Sequence, residues 1–165
     1  MAKIESTAPY LAPVRKSVTV ATAPDATFEL FTGGIAAWWP MERYSVSQAR
    51  TREVVIEPGT GGRVYEVRDD GETFPWGRVL AWDPPARLVL SWHPGREPDV
   101  AQEVELRFTA VAGGTRVELE HRNWQALGDA ADNVRERYAN GWVEVLGRCF
   151  VAACTASHGA GESRR

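Results

Sequence analysis

Arg78 stands among tryptophans, and this arrangement gives it the clearest capacity for binding chemistry in the sequence. It lies in FPWGRVLAWDPPARLVLSW, residues 74–92, which holds three of the seven tryptophans of the chain. A guanidinium beside aromatic rings binds a carboxylate or phosphate through paired hydrogen bonds, or stacks on a ring. The alternative is a surface arginine whose aliphatic stem reaches out to solvent.

His121, Tyr65 and Tyr138 are the other polar groups that a binding site in this chain would use. An imidazole can orient a polar group of a bound molecule or transfer a proton, and a tyrosine adds a hydroxyl. Each has a structural alternative, because a lone inward histidine is commonly held by core hydrogen bonds and a tyrosine commonly packs. Their roles therefore depend on the elements that carry them.

The motifs of several enzyme classes are missing from the sequence. PGTGGR, residues 58–63, is rich in glycine but precedes a strand, whereas a phosphate-binding loop opens a helix. The sequence contains no HExxH, paired CxxC or GxSxG motif, and its three histidines are scattered. Cys149 and Cys154 lie about 140° apart on a predicted helix, which prevents a disulfide between them. We therefore expect no metal, no cofactor and no catalytic residue of a known motif.

Composition favours a single soluble domain. The chain has 165 residues, of which 44% are hydrophobic and 25% are charged, and a net charge of -3. This acidic balance argues against nucleic acid as a partner, because phosphate contacts need a basic surface. The first residues form no apolar signal segment, and no apolar run is long enough to cross a bilayer. The expectation is a cytoplasmic protein without membrane insertion, and whether it forms a homodimer stays open.

The N-terminal third predicts one strand and two short helices. SVTVAT alternates between apolar and polar residues, which predicts a strand over residues 17–22. Pro24 suits the first position of a helix, and IAAWW, residues 35–39, predicts a second one. Because Trp38 and Trp39 would lie about 100° apart on that helix, we expect one to pack and the other to guard a cavity entrance.

From residue 52 onwards the hydrophobic period changes to two, which predicts six strands. The segments 52–58 and 63–72 give one strand each, and residues 74–92 give two strands on either side of a proline pair. Residues 104–123 give the last two strands as a hairpin around Gly-Gly.

Alternation within residues 74–92 predicts which side chains face inward. Arg78 and Leu80 share a face with the two flanking tryptophans. A turn over residues 83–87 would pair Leu80 with Leu90 and place Arg78 near Trp92. Large apolar groups belong inside more plausibly than outside, so this face is an interior. That interior is either a packed core or the wall of a ligand cavity.

Charge pairing predicts the register of the last hairpin. If residues 113–114 form a two-residue loop, Glu105 lies opposite Arg122 and other opposite charges also meet. A slip by one residue would turn the apolar side chains outward. His121 should therefore point inward.

Residues 132–157 predict one long amphipathic helix. Placed at 100° per residue, its apolar side chains fall within one broad stripe that must be buried. The stripe consists of Val134, Tyr138, Trp142, Val145, Cys149 and Ala153.

The order of these elements indicates an α+β fold in which a curved antiparallel sheet wraps around one long C-terminal helix. Such a sheet leaves space between the two layers, and the two short helices would close one end. The predicted boundaries are a flexible arm over residues 1–14, one domain over residues 15–157 and a disordered tail over residues 158–165.

Several segments resemble the START-like superfamily, also called SRPBCC or Bet v 1-like, over residues 15–155. They are SVTVATAPDATFELFT, WWP, GGRVYEV, WGRVLAWDPPARLVLSW, GGTRVELEH and the GW that precedes the last helical turns. The branch they resemble most is the C-terminal domain of Aha1, the activator of Hsp90 ATPase. The resemblance implies a helix-grip fold with a deep, mostly apolar cavity, and it implies no fixed catalytic set.

Three functions are compatible with this interpretation, in decreasing order of preference. The first is a carrier or sensor that binds a small apolar or amphipathic molecule in the sheet–helix cavity. The second is an enzyme of the polyketide cyclase or aromatase type, which requires Arg78 and His121 to converge on one cavity. The third is a chaperone-interaction module, which requires Trp39 or Trp124 to project from the surface. Whether the protein is an enzyme stays open, with binding favoured.

The predicted ligand-binding residues combine aromatic, apolar and polar side chains from the short helices, the sheet and the long helix. We expect the tryptophans among them to line an interior that either protein or ligand fills. The set is Trp38, Trp39, Tyr65, Trp76, Arg78, Leu90, Trp92, Leu106, Phe108, His121, Tyr138 and Trp142.

Overall fold

The computed structural model describes residues 11–162, and its central element is a sheet of seven antiparallel strands. The strands are β1 (Val14–Val20), β2 (Thr51–Ile56), β3 (Arg63–Arg68), β4 (Thr73–Asp83), β5 (Arg87–Trp92), β6 (Gln102–Val111) and β7 (Gly114–Arg122). Their order across the sheet is β1-β7-β6-β5-β4-β3-β2. The sheet curls into a half-barrel around the C-terminal helix, which confirms the predicted α+β helix-grip fold.

Three α-helices accompany the sheet in the described part of the chain: α1 (Pro24–Phe31), α2 (Ala131–Glu144) and α3 (Val151–Glu162). A π-helical turn, Val145–Phe150, joins α2 to α3, so the helical backbone continues through both. Short 3-10 turns lie at Ile35–Ala37, Gln48–Arg50, Pro98–Val100 and Trp124–Ala130. Within residues 11–162, no helix is both long and apolar enough to cross a membrane.

α1 begins at Pro24, as predicted, because proline fits a first helical turn in which its missing N–H would have no partner. Phe28 and Phe31 are both 2% exposed, and they attach the helix to the sheet. The ring centroid of Phe28 lies 5.1 Å from that of Trp82 and 5.3 Å from that of Phe108. α1 therefore packs against side chains of both β4 and β6.

Trp38 and Trp39 are each only 7% exposed, so both pack, whereas the sequence predicted that only one would. The second predicted helix is only a short 3-10 turn that ends before them, and the 100° offset of an α-helix does not apply. Trp38 packs on Phe150 with 4.8 Å between ring centroids and donates to the carbonyl of Leu30. The ring centroid of Trp39 lies 5.7 Å from that of Trp38, and its indole N–H donates to the carbonyl of Tyr44 at 2.8 Å.

The π-helical turn changes which residues of the C-terminal helix are buried. The predicted stripe continued from Val145 to Cys149 and Ala153, but these last two are partly exposed. Phe150 and Cys154 are 0% exposed in their place. A π turn holds one more residue than an α turn, so the inward face moves by one position after it.

Arg78 faces solvent, and the prediction that it points inward is wrong. Two β-bulges interrupt β4, one with Trp76 as the extra residue opposite β3 and one with Leu80 as the extra residue opposite β5. Each bulge reverses the alternation, so Arg78 and Leu80 lie outside although Trp76 and Trp82 stay inside. Leu80 is 44% exposed, and Arg78 donates to the carbonyl of Gly61 at 3.2 Å.

A close approach at Gly77 accompanies the first bulge. A Cβ atom at Gly77 would lie 1.8 Å from the carbonyl oxygen of Ser91, so only glycine lets β4 and β5 approach this closely. Beyond it, Val79 rather than Leu80 pairs with Leu90. The bulges and the close approach at Gly77, rather than a regular alternation, therefore decide which side chains of β4 point inward.

The β6–β7 hairpin is shifted by two residues from the predicted register. Val111 pairs with Gly114, so the loop is formed by Ala112 and Gly113, whose φ of 81° favours glycine. Because the shift is an even number of residues, the same side chains still face inward. The prediction that His121 points inward is confirmed, since its side chain is 0% exposed.

The shifted register places two carboxylates opposite each other, and Arg122 neutralises both. Glu105 pairs with Glu120 across the strands. Arg122 lies between them, 2.6 Å from a carboxylate oxygen of Glu105 and 2.7 Å from one of Glu120. Arg87 and Arg107 also reach Glu105, and together with hydrogen bonds these charges lower its pKa against the opposing effect of burial, which is the largest single influence.

Regular structure extends beyond both predicted domain ends. β1 begins at Val14 rather than at residue 17, and α3 continues to Glu162 rather than ending at residue 157. Residues 1–10 of the predicted arm and residues 163–165 of the predicted tail lie outside the described residues.

Candidate ligand-binding cleft

A cleft of about 670 Å³ opens at one end of the half-barrel. Three walls form it: the cleft loop (residues 40–47) with the neighbouring Trp39, the β5–β6 loop (residues 93–101) with the end of β5, and the inward face of α2. The lining residues are Trp39, Arg43, Tyr44, Ser45, Val46, Trp92, Pro94, Gly95, Arg96, Val134, Arg137, Tyr138, Gly141, Trp142 and Val145.

Aromatic rings form the inner wall of the cleft. The ring centroids of Trp39, Trp92 and Trp142 are 5.8 to 5.9 Å apart. Tyr138 stacks on Trp142 with an interplanar angle of 28° and 6.4 Å between centroids. Each tryptophan comes from a different element, so the long helix, β5 and the segment after α1 must all be in place to build this wall.

The hydroxyl of Tyr138 lies at the aromatic wall of the cleft. It accepts a hydrogen bond from the indole N–H of Trp92 at 3.1 Å, which leaves its own proton available for a further acceptor. Burial raises the pKa of this hydroxyl, although the bond from Trp92 and the charges of Arg96 and Arg137 act in the opposite direction. Tyr138 therefore stays protonated at neutral pH and can donate.

Glu66 holds the cleft loop against the sheet. Its side chain is 0% exposed, and its Oε1 accepts hydrogen bonds from the backbone N–H of Val46 and the indole of Trp76, both at 2.7 Å. Its Oε2 accepts from the N–H of Ser47 at 2.8 Å and from the hydroxyl of Thr51 at 3.2 Å. A buried carboxylate surrounded by four donors fixes the loop more firmly than apolar contact would.

Glu144 holds the same loop against the helix. Its carboxylate forms an ion pair with Arg43 and accepts a hydrogen bond from the hydroxyl of Tyr44 at 3.0 Å. Gly141 lies one helical turn earlier, where a Cβ atom would be 3.1 Å from the ring of Tyr44. The absence of a side chain at Gly141 lets the loop lie directly on α2.

His121 lies behind the aromatic wall and is fully engaged. Its Nδ1 accepts a hydrogen bond from the indole N–H of Trp142 at 3.0 Å, which assigns the proton to Nε2. Nε2 then faces the amide oxygen of Gln102 at 3.4 Å, and Gln102 donates to the carbonyl of Val100 at 2.8 Å. Burial lowers the pKa of His121 to about 3, so the ring is neutral at physiological pH.

Four of the predicted ligand-binding residues lie in the lining of the cleft: Trp39, Trp92, Tyr138 and Trp142. Their part in binding stays a prediction, but the structure does bring them together. The three tryptophans of this group also belong to the hydrophobic core, so they line the cleft with only a small part of their surface. The predicted residues that lie in the core away from the lining are Trp38, Trp76, Leu90, Leu106 and Phe108.

Three polar candidates lie apart from the cleft lining. Arg78 is exposed on the outer face of β4, and Tyr65 lies on the outer face of β3 beneath the guanidinium of Arg63. His121 is in the core, so Arg78 and His121 do not converge. The cyclase hypothesis in the form that required their convergence is therefore wrong.

Sequence reasoning missed the polar residues of the two loops and of the helix edge. Arg43 and Tyr44 follow the WWP segment, Arg96 follows Trp92 in HPGRE, and Arg137 precedes Tyr138. The available signal was the position of each arginine a few residues after, or directly before, an aromatic residue of the predicted site. Loop conformation decides whether such neighbours share a site, and periodicity carries no information about it.

The exposed tryptophan required by the third hypothesis is not found, because both candidates are buried. Trp39 is 7% exposed and Trp124 is 0% exposed. The ring of Trp124 lies 4.1 Å from that of His121. Binding of a chaperone stays a prediction, without the surface that was expected to carry it.

A protein family matches the chain over most of its length. The family model described as activator of Hsp90 ATPase homolog 1-like protein matches residues 21–153. None of the curated proteins compared with the chain by sequence matches it.

Solved structures of similar proteins include one at high sequence identity. Txn09, an anthrahydroquino-gamma-pyrone synthase, is 40% identical over 76% of this chain and 85% of its own, with a TM-score of 0.55. CalC, a self-sacrificing resistance protein from Micromonospora echinospora, is 27% identical over 88% of this chain and 96% of its own, with a TM-score of 0.62. An AHSA1-like protein from Aeromonas hydrophila is 19% identical over 87% of this chain and 94% of its own, with a TM-score of 0.57, and shares the fold.

Proposed function

Because the chain belongs to the family of activator of Hsp90 ATPase homolog 1-like proteins and its cleft has an aromatic wall, we propose that it binds a planar polycyclic aromatic molecule there. The observation that carries the proposal is the meeting of Trp39, Trp92, Trp142 and Tyr138 in one open cleft. Aromatic side chains offer a large contact area with few rotatable bonds, and they favour flat ligands that stack on them or meet them edge-on.

The dimensions of the cleft support a ligand of this size. Its volume of about 670 Å³ lies within the roughly 300–1,000 Å³ of small-molecule sites. The indole rings lie at its inner wall, whereas Arg96 and Arg137 are exposed. A fused ring system would therefore enter with its apolar part first and leave its polar substituents towards the mouth.

The relationship to Txn09 supports the same ligand class. Its name describes a synthase of an anthrahydroquino-gamma-pyrone, and an anthrahydroquinone is a flat system of three fused rings. The 40% identity extends over 76% of this chain, which includes at least part of the segments that build the cleft. Aromatic polyketides of this shape are the ligands we propose.

Titration of the protein with anthraquinone should quench its tryptophan fluorescence saturably. Three indoles line the cleft with ring centroids 5.8 to 5.9 Å apart, so a quinone bound there lies close enough to quench their fluorescence. We expect a dissociation constant in the micromolar range, which corresponds to about 8 kcal/mol of binding free energy. Isothermal titration calorimetry measures the same constant independently of fluorescence.

A matched pair of variants tests the location of the bound molecule. Val46 is 41% exposed at the mouth, and a Cβ atom on Gly95 would lie 3.7 Å from its Cγ2. Val46→Trp fills the gap between the two loops and should weaken binding about tenfold. Val143→Trp adds the same ring at a position that is 58% exposed and outside the lining, and should leave binding unchanged. Equal affinity in both variants, or no saturable binding by the wild type, would refute the proposal.

A second candidate function, ring closure of the bound aromatic molecule, is favoured by the identity to a synthase and by the hydroxyl of Tyr138. In such a closure, a phenol oxygen of the substrate forms a C–O bond to an unsaturated carbon conjugated with a ketone of the same molecule. The displaced π electrons move to the ketone oxygen, which takes a proton from Tyr138. The phenol proton leaves to water, and water returns a proton to Tyr138, so the net change is addition of the phenol O–H to the conjugated system. The positive charges of Arg96 and Arg137 favour the phenolate that attacks.

Tyr138→Phe should separate binding from ring closure. The variant keeps the stacked ring but loses the hydroxyl that donates the proton in this proposal, so kcat should fall about 100-fold while KM changes less than about twofold. Closure of a hydroxyanthraquinone that carries an unsaturated ketone beside its hydroxyl is followed by absorbance, with the uncatalysed rate subtracted. Tyr65→Phe, on the outer face of β3, is the matched control and should retain full activity. An equal fall in both variants would contradict the role of Tyr138.

A further inference from the structure

The cleft carries a positive charge in a chain whose net charge is negative. Arg43, Arg96 and Arg137 belong to its lining, and the described residues of that lining include no Asp or Glu. The chain as a whole has a net charge of -3. A concave site lined by one sign of charge concentrates ligands of the opposite sign. This contrast between the site and the rest of the chain indicates that the charge serves binding.

Two of the three arginines have no ion-pair partner among residues 11–162. Arg43 is neutralised by Glu144. The guanidinium groups of Arg96 and Arg137 form no ion pair or hydrogen bond with any residue among 11–162. Elsewhere arginines are engaged closely, as in the ion pairs of Arg122 with three carboxylates. Arg96 and Arg137 thus keep their donors available at the mouth of the cleft.

The guanidinium groups of Arg96 and Arg137 share the cleft lining with the hydroxyl of Tyr138. Arg137 is adjacent to Tyr138 on α2, and Arg96 reaches the cleft from the β5–β6 loop. Burial raises the pKa of the Tyr138 hydroxyl overall, and the charges of both arginines act in the opposite direction. A ligand seated on the aromatic wall would therefore have two cations near the edge that points outward.

We infer that the ligand of this cleft carries an anionic group, most simply a carboxylate on its polycyclic ring system, which Arg96 and Arg137 bind at the mouth. This inference rests on the proposed function and specifies the substrate class: an acidic aromatic polyketide rather than a neutral one. A guanidinium matches a carboxylate through two parallel hydrogen bonds, and two guanidinium groups satisfy both carboxylate oxygens. The exposure of both arginines keeps the expected effect moderate, because water screens the charges.

Calorimetric titration with two matched probes tests the inference. Anthraquinone-2-carboxylate and anthraquinone-2-carboxamide share the ring system and nearly the same shape, and differ in charge at neutral pH. We expect the carboxylate to bind about tenfold more tightly at low salt, and the difference to shrink at high salt. The double variant Arg96→Gln/Arg137→Gln should abolish the preference while its affinity for the carboxamide stays within about twofold of the wild type.

Arg148→Gln provides the control for a general change of charge. Arg148 is exposed on the π-helical turn, lies outside the cleft lining and also lacks a side-chain partner among the described residues. This variant should keep the full preference for the carboxylate. Loss of the preference in Arg148→Gln as well would show a long-range charge effect and overturn the assignment to the mouth.

The remaining outcomes separate this inference from the proposed function. Equal binding of the two probes by the wild type would overturn the inference and leave the aromatic cleft supported. A preference that persists in the double variant would overturn the role of Arg96 and Arg137. Binding of neither probe would overturn the proposed function and the inference with it.

Discussion

Replacing Glu66 with glutamine should lower the free energy of unfolding by about 3 kcal/mol, because buried donors lose their acceptor. Each carboxylate oxygen of Glu66 accepts two hydrogen bonds, and its four partners are N–H and O–H groups. Glutamine has nearly the same shape but presents an NH2 group on one side. Even if the hydroxyl of Thr51 rotates to accept from it, the N–H of Ser47 is left facing a donor.

Urea denaturation of the wild type and of Glu66→Gln measures this loss of stability. Hydrogen exchange at the amides of Val46 and Ser47 locates it, since both should exchange faster in Glu66→Gln before global unfolding. Glu118→Gln, at a position whose side chain is 47% exposed, is the control and should shift stability by less than about 0.5 kcal/mol. A Glu66→Gln protein as stable as the control would mean that the cleft loop does not depend on this carboxylate.

The free energy of unfolding should also fall as the pH is lowered, over the range between the folded and unfolded pKa values of His121. Its pKa is about 3 in the folded protein, against an ordinary value of 6.5, because burial disfavours the charged ring. Between these two values the unfolded chain binds a proton that the folded chain does not. The contribution of His121 is therefore constant above pH 6.5, and below it stability falls by about 1.4 kcal/mol per pH unit.

Comparison with His121→Gln isolates this effect. Glutamine offers an oxygen to the indole of Trp142 and an NH2 group to Gln102, and it does not titrate. The unfolding free energy of this variant should therefore fall less steeply between pH 6 and pH 4.5. Hydrogen bonds from Arg63 and Arg68 lower the pKa values of Glu57 and Asp70 to about 2, and these carboxylates act at lower pH and equally in both proteins. Identical slopes would show that His121 is protonated in the folded state.

Elements whose signal is local could be predicted from the sequence. Pro24 marks the start of α1, and strict alternation marks the strands and the inward face of His121. The register of the last hairpin differed by two residues, because Ala112–Gly113 and Gly113–Gly114 are both plausible loops and opposite charges occur in either pairing. The error did not change which side chains point inward, because the side chains of a strand alternate between its two faces with a period of two residues.

The side of the sheet on which Arg78 lies could not be predicted, because two bulges interrupt β4. Gly77 was the one indication of the first bulge, and it can be interpreted only when the carbonyl of Ser91 is known to lie beside it. The cleft itself depends on a loop whose residues are bound by Glu66 and Glu144 from 19 to 101 positions away in the chain. Such contacts are tertiary, so local pattern does not encode them.

The π-helical turn at Val145–Phe150 affects how chains of this fold should be aligned. A relative with an uninterrupted α-helix needs a one-residue gap at this turn if core positions are to match. Without the gap, Cys149 would be aligned with a core position that Phe150 occupies here, and every residue of α3 would be compared with the wrong counterpart. The gap lies after α2, so the cleft positions from Val134 to Trp142 align correctly with or without it.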